Sequence, residues 1–409
     1  MPKKNETTPN VPALRFSEFE EVWKEVLLKG LMTFKNGVNA SKEDYGKGYK
    51  FINVLDIIEN DFIDYESIRG FVDVTEDVFK KNVVEYGDVL FQRSSETREE
   101  VGQANVYLDK NRNATFGGFV IRGKRAGEYI PSFMNYLLKS AAARKEITSK
   151  SGGSTRYNVS QSTLSNVKVI LPTLPEQQKI ANFLTAADKR IELVQQQVMQ
   201  WQAYKKGIMQ QLFSQAIRFR DEDGEVFGDW EEKRLGEIGE FFSGGTPTSS
   251  MKEYYTGDIP FIKSGEISSS NTEQYINKKA LEDSSAKMVC RGDLLMAIYG
   301  ATSGQVAISK LEGAINQAVV CIRGGFDSIF LFSYFEFNRS RLTRKYLQGG
   351  QGNLSSKILK SISVSFPSEQ EQQKISSFLT AIDERINLLE QQVEQLQIWK
   401  KGLLQQMLV

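Results

Sequence analysis

The chain has 409 residues, 40% of them apolar and 25% charged, with 52 basic and 51 acidic side chains for a net charge of +1. That composition fits two globular domains of ordinary size and excludes a disordered, collagen-like or membrane-spanning chain, since no apolar run reaches 18 residues. With no histidine at all and only Cys290 and Cys321, the His-assisted nucleophiles and the usual zinc ligand sets are closed as well.

Residues 1–23 read as an N-terminal arm: MPKKNETTPNVP is polar and lacks the apolar core of a signal peptide. Residues 24–172 then alternate short β-rich runs with Gly, Asp and Ser turns and a helical stretch at 131–146, the pattern of a mixed α/β domain. A strand ending at Leu90–Phe91 enters a polar loop from Gln92 to Arg98, and a second loop runs from Gly152 to Asn158. Arg, Asn, Gln, Ser and Thr are the side chains that read base edges. This makes Arg93, Ser94, Ser95, Arg98, Thr155, Arg156, Tyr157 and Asn158 candidate contacts, with Lys50 and Asn53 beside them; Lys35, Lys42 and Lys47 are candidate phosphate contacts.

Residues 173–214 are a long helix. Ile180, Leu184, Ala187, Ile191, Val194, Val198, Trp201, Ile208 and Leu212 recur in alternating steps of four and three, interrupted only by Lys205. A seam that narrow is the mark of a coiled coil rather than of a helix lying on a core. From Ile180 to Leu212 it is about 48 Å long at 1.5 Å per residue. Thr173 and Glu176 have the spacing of a capping box.

After a linker at 215–230, residues 231–367 form a second unit with its own helical stretch at 328–347. It is related to the first: Trp23 and Trp230 each precede a glycine by fourteen residues, Gly37 and Gly244, and FINVLDI at 51–57 answers FIKSGEI at 261–267. GDVLFQRSSETREEVGQ at 87–103 likewise answers GDLLMAIYGATSGQ at 292–305, and the glycine pair at 152–153 answers that at 349–350. By position, Lys263, Ser264, Tyr299, Thr302, Ser303, Gln305, Gln351 and Asn353 are the second set of candidate contacts. Asp88 and Asp293, both in Gly-Asp turns, are a repeated acidic pair that reads as turn caps rather than as a hydrolytic dyad.

The last segment, 368–409, repeats the first helix. Residues 371–408 match 176–213 at 23 of 38 positions without a gap, at an offset of 195 residues. Its seam is Ile375, Leu379, Ile382, Ile386, Leu389, Val393, Leu396, Lys400, Leu403 and Met407, and Ser368 and Glu371 repeat the capping-box spacing. Two matched seams are expected to pack on each other antiparallel, because a parallel pair would set Lys205 beside Lys400. The competing arrangement is a coiled coil between two separate chains.

These motifs resemble those of the specificity (S) subunit of type I restriction-modification systems over essentially the full length. The carriers are P-x-L-R-F at 12–16 with Trp23, LPTLPEQQKIANFL at 171–184, FPSEQEQQKISSFL at 366–379, D-x-R-I at 188–191 and 383–386, and K-K-G at 205–207 and 400–402. The resemblance implies two α/β (mixed) target-recognition domains per chain, separated by a pair of long antiparallel coiled-coil helices in an internal pseudo-two-fold repeat. It implies that each domain reads half of a bipartite, interrupted, asymmetric sequence in double-stranded DNA. The partners implied are two modification (methyltransferase) subunits and two ATP-dependent restriction subunits. The chain itself would hold no catalytic residue, metal or cofactor; S-adenosylmethionine, ATP and Mg would belong to the partners. A cytoplasmic location, with no membrane contact, fits the two cysteines. The near-neutral charge keeps one rival in play, a bivalent protein-binding adaptor on a coiled-coil spacer with no DNA involved.

Overall fold

The computed structural model describes residues 11–346 and 354–408, which fall into two compact units, Met1–Val194 with Gln392–Val409 and Gln195–Gln391. The division runs through both long helices, Leu174–Phe213 and Glu369–Met407, so each unit holds a globular body and a piece of each helix.

The body of the first unit is closed by an antiparallel pair, Lys24–Leu27 with Lys168–Leu171, immediately before the long helix begins. Its main sheet is antiparallel, in the order Met32–Asn36, Val120–Arg125, Val89–Gln92, Ala104–Val106. Val89–Gln92 is buried on both faces, which is why Val89, Leu90 and Phe91 are successive apolar residues and do not alternate with polar ones. A smaller sheet pairs Gly70–Val72 with Tyr45–Ile52 antiparallel, and Phe51–Ile52 with Thr115–Phe116 parallel, so the domain is mixed. Gly37 must be glycine because a Cβ there would collide with the Gly117 carbonyl. The expected helix at 131–146 is two helices, Pro131–Lys139 and Ala141–Ser149. Ser140 breaks it: its backbone is extended and its hydroxyl accepts the Ala143 N–H.

The second unit repeats this plan. Glu231–Arg234 pairs with Ser363–Phe366, and the main sheet runs Gly239–Ser243, Val319–Gly324, Leu294–Ala297, Val306–Ile308. In its second sheet Phe261–Ile262 lies parallel to Ala314–Ile315. A Cβ on Gly244 would meet the Ile315 carbonyl, the constraint already met at Gly37. Ser328–Tyr346 is a single helix here.

Inside each unit the helix segments cross antiparallel. In the second, Gln202 reaches Glu390, Lys205 reaches Asp383 at 2.8 Å, and Met209 and Leu212 share a core with Ile375 and Leu379. In the first, Lys400 pairs with Asp188, while Ile180 and Leu184 share a core with Leu403 and Met407. The two seam lysines are thus each matched to the aspartate of the other repeat's D-x-R-I motif. The narrow seam holds only in mid-helix, where Ile191, Val194, Ile386 and Leu389 are buried. At the helix starts a broader face is covered, taking in Glu176, Gln177 and Ala181, and Glu371, Gln372 and Ser376.

The capping-box expectation is corrected at those starts. Ser368 does cap, its hydroxyl accepting the Glu371 N–H at 3.3 Å. The glutamates, however, do not fold back to the cap. Glu176 is fully buried and accepts from the Arg15 guanidinium at 2.7 and 2.8 Å and from the Trp23 indole at 3.2 Å. Glu371 does the same with Arg218 and Trp230. The next residue is used alike in both: Gln177 bridges Ile130 N–H and the Pro172 carbonyl, and Gln372 bridges Asp327 N–H and the Pro367 carbonyl. The repeated E-Q-Q therefore ties a globular body to its helix.

Candidate nucleic-acid interface

Matching hydrogen bonds superimpose the loops of one unit on those of the other. Arg93 N–H donates to the Phe119 carbonyl at 3.0 Å, and Ile298 N–H to the Ala318 carbonyl at 2.9 Å. Val159 N–H donates to Arg93, and Leu354 N–H to Ile298. Gly117 N–H donates to Ile52, and Asn316 N–H to Ile262. One backbone framework therefore presents different side chains at the same places: Asn53 or Lys263, Arg93 or Ile298, Ser94 or Tyr299, Gly118 or Gln317, Phe119 or Ala318. Asn39 or Thr246 completes the set, the first packed against Gly118 and the second donating its hydroxyl to Gln317.

In the first unit the two loops expected to read DNA come together. Ser94–Ser95 pairs antiparallel with Tyr157–Asn158, and the Ser94 hydroxyl donates to the Asn158 side chain. Thr155, Arg156, Asn158 and Arg93 are exposed, and Tyr157 is half-buried against the core. Beside them Arg93, Lys150, Asn158, Ser160 and Thr163 line an open polar cleft. The other expected contacts are engaged by groups of the protein itself. Ser95 is buried and bonded to Glu100, and Arg98 donates to the carbonyls of Thr148 and Ser149, the unsatisfied end of helix Ala141–Ser149. Lys50 donates to the Ile68 carbonyl and lies over the Phe71 ring, Lys35 donates to Lys81, and Lys47 pairs with Asp73. Asn53 precedes helix Val54–Ile58, its N–H on the Asp56 carboxylate, and its amide is exposed.

In the second unit Tyr299 is exposed, and Thr302 and Gln305 are half-buried. Ser303 is buried with its hydroxyl on the Ile298 carbonyl, so it supports the loop from within. Lys263 and Ser264 are half-buried, with the Lys263 N–H on Glu266. Gln351 and Asn353 lie outside the described residues. The repeated acids are turn caps: Asp88 accepts from the N–H groups of Glu85 and Arg125, and Asp293 from that of Cys290 and from Arg323. Burial raises the Asp88 carboxyl above its usual range; at Asp293 burial is outweighed by Arg323 and the Cys290 N–H, which lower it.

Sequence reasoning passed over Asn39, Lys150, Ser160, Thr163 and Phe119. For Phe119 the available signal was GGF at 117–119, an aromatic after two glycines where the otherwise similar second unit has NQA at 316–318.

The family described as "Type I restriction modification DNA specificity domain" matches residues 20–200 and 228–397. The putative type I restriction enzyme MjaX specificity subunit of Methanocaldococcus jannaschii is 27% identical over 416 residues, covering 97% of this chain and 95% of that one. The EcoR124I/EcoR124II specificity subunit of Escherichia coli is 27% identical over 171 residues, 39% of this chain and 42% of its own. The crystal structure of a type I restriction-modification S subunit from M. genitalium has the same fold, with TM-score 0.59 at 16% identity over 98% of this chain and 99% of that one.

Proposed function

Because this chain belongs to the type I restriction modification DNA specificity family, we propose that its two units each read one half of an interrupted, asymmetric DNA target. The observation that carries this reading is the shared loop framework bearing different side chains. Two identical readers would select a palindrome; a framework offering Arg93 and Phe119 in one unit and Ile298 and Ala318 in the other selects two different half-sites. Exposed Arg93, Arg156 and Asn158 supply donors and acceptors for base edges in the first unit. Tyr299, Gln317 and Lys263 occupy that role in the second.

Specificity subunits of this family assemble with the other restriction-modification subunits. The finer assignment proposed here is two modification subunits, bringing S-adenosylmethionine for adenine methylation, and two ATP-dependent restriction subunits. Each unit carries equivalent exposed apolar side chains on its helix segments, Leu193 and Trp399 in the first and Leu388 and Tyr204 in the second. Two matched sets suit two copies of one partner. This chain is assigned no catalytic group and no cofactor of its own. Among the described residues no helix is long and apolar enough to cross a membrane.

Methylome sequencing of cells carrying the chain with its modification partner tests the proposal. Two dissimilar half-sites with a fixed gap are expected, and Arg156→Ala should relax one half alone. A continuous or palindromic motif would overturn it. The adaptor reading predicts no methylation motif and no steep dependence of DNA binding on salt.

A further inference from the structure

Phe119 is the most exposed large apolar side chain among the described residues, 69% open to solvent, yet it stands on a rigid turn. The Gly117 carbonyl accepts the Val120 N–H at 2.9 Å, the Gly117 N–H is tied to Ile52, and the Phe119 carbonyl is tied to Arg93. At Gly118 a Cβ would displace the Asn39 side chain. The exposed Arg93 guanidinium donates to the Gly118 carbonyl at 3.4 Å. Phe119 lines one concavity with Asn39, Tyr45, Asn53 and Leu55, and Arg93, bonded to the same turn through its backbone and its side chain, lines the cleft with Lys150, Asn158 and Ser160. The second unit keeps the turn, with Val319 N–H on the Asn316 carbonyl, but replaces the pair by Ala318 and Ile298.

We propose that Arg93 and Phe119 form a reading pair: the guanidinium takes the O6/N7 edge of a guanine while the ring covers the 5-methyl group of a neighbouring thymine, and the second unit reads its half-site without such a pair. Arginine on guanine and an apolar side chain on the thymine methyl are the contacts that the major-groove pattern allows these groups. An aromatic held by backbone bonds loses little freedom on contact, which suits it to this use. The pairing rests on the DNA-reading function proposed above and adds the base identities.

The test uses the assembled modification complex and its own target duplex, substituted one position at a time with deoxyuridine for thymidine or 7-deazaguanine for guanine. In the half-site that changes with Arg93, one deoxyuridine should weaken binding about fourfold, the worth of a buried methyl. The adjacent 7-deazaguanine should weaken it about tenfold. Phe119→Ala should abolish the first sensitivity and keep the second, Phe119→Leu should retain part of the first, and Arg93→Ala should abolish the second. No such adjacent positions in the parent complex, or sensitivities that survive in the variants, overturns the pair. A complex that prefers no sequence at all defeats instead the reading on which the pair rests.

Discussion

Glu176 and Glu371 stand two residues inside their helices with no exposed surface, each between a guanidinium and an indole N–H. Such a group is held by its partners, because a carboxylate taken out of water costs several kcal/mol unless paired. The pairing also acts on the arginines: the hydrogen bond that Arg218 donates to Glu371 keeps it above its usual pKa, as that to Glu176 does for Arg15. Glu371→Ala should therefore lower the unfolding free energy by about 3 kcal/mol, by leaving Arg218 uncompensated. Glu371→Gln, which keeps an acceptor for Trp230, should lose less. Urea denaturation followed by tryptophan fluorescence measures both; a Glu371→Ala protein as stable as its parent would remove the clamp from the account. The arginine of P-x-L-R-F was plain in the sequence, but its partner lies 161 residues away, and the spacing Thr173–Glu176 pointed to a local role.

The long helices show why some of the fold could be read in advance. Their heptad seams are local periodicities, and in mid-helix the buried Ile191, Val194, Ile386 and Leu389 fall on them. The break at Ser140 was missed because helix formers flank it on both sides, and the tertiary pairing of Ser94–Ser95 with Tyr157–Asn158 was missed because 64 residues separate them. Lys35 and Lys50 reach backbone carbonyls that no sequence pattern reveals. At the seam itself, Lys205 has 14% of its side chain exposed, against 38% for Asp383 and 45% for Glu336. Burial works to lower its pKa, yet its bonds to Asp383 and Glu336 outweigh this and raise it. A raised lysine contributes stability that is fully present below the unfolded value near 10.5 and is lost only as the pH climbs through the folded value. Replacing both members of a buried ion pair by apolar side chains is commonly neutral or stabilising, whereas removing one member leaves the other uncompensated. Lys205→Met, which leaves the more exposed Asp383 and Glu336 without their cation, should lower the unfolding free energy by about 1 kcal/mol, an offset that stays constant between pH 6 and 9. A loss of several kcal/mol would mean that the charge pair, rather than the apolar seam, holds this crossing.

At the scale of the whole molecule, near-neutral charge and a DNA-reading role are compatible only if basic groups are placed locally and partners add the rest. The isolated chain should thus bind DNA weakly, with a shallower salt dependence than the assembled complex. The helices set a second expectation. Both keep a seven-residue seam, so a heptad inserted at the same place in each, after Gln196 and after Gln391, returns every downstream seam residue to its frame. Seven residues add about 10.5 Å of helix, and duplex DNA rises about 3.4 Å per base pair. The methylated motif of the lengthened protein should keep both half-sites and widen the unread gap by about three base pairs. Inserting two residues instead would turn the downstream seam by about 200° and should abolish methylation. A gap unchanged by the heptad would mean that the spacing is set by the partners, and that the matched helices serve only to dock them.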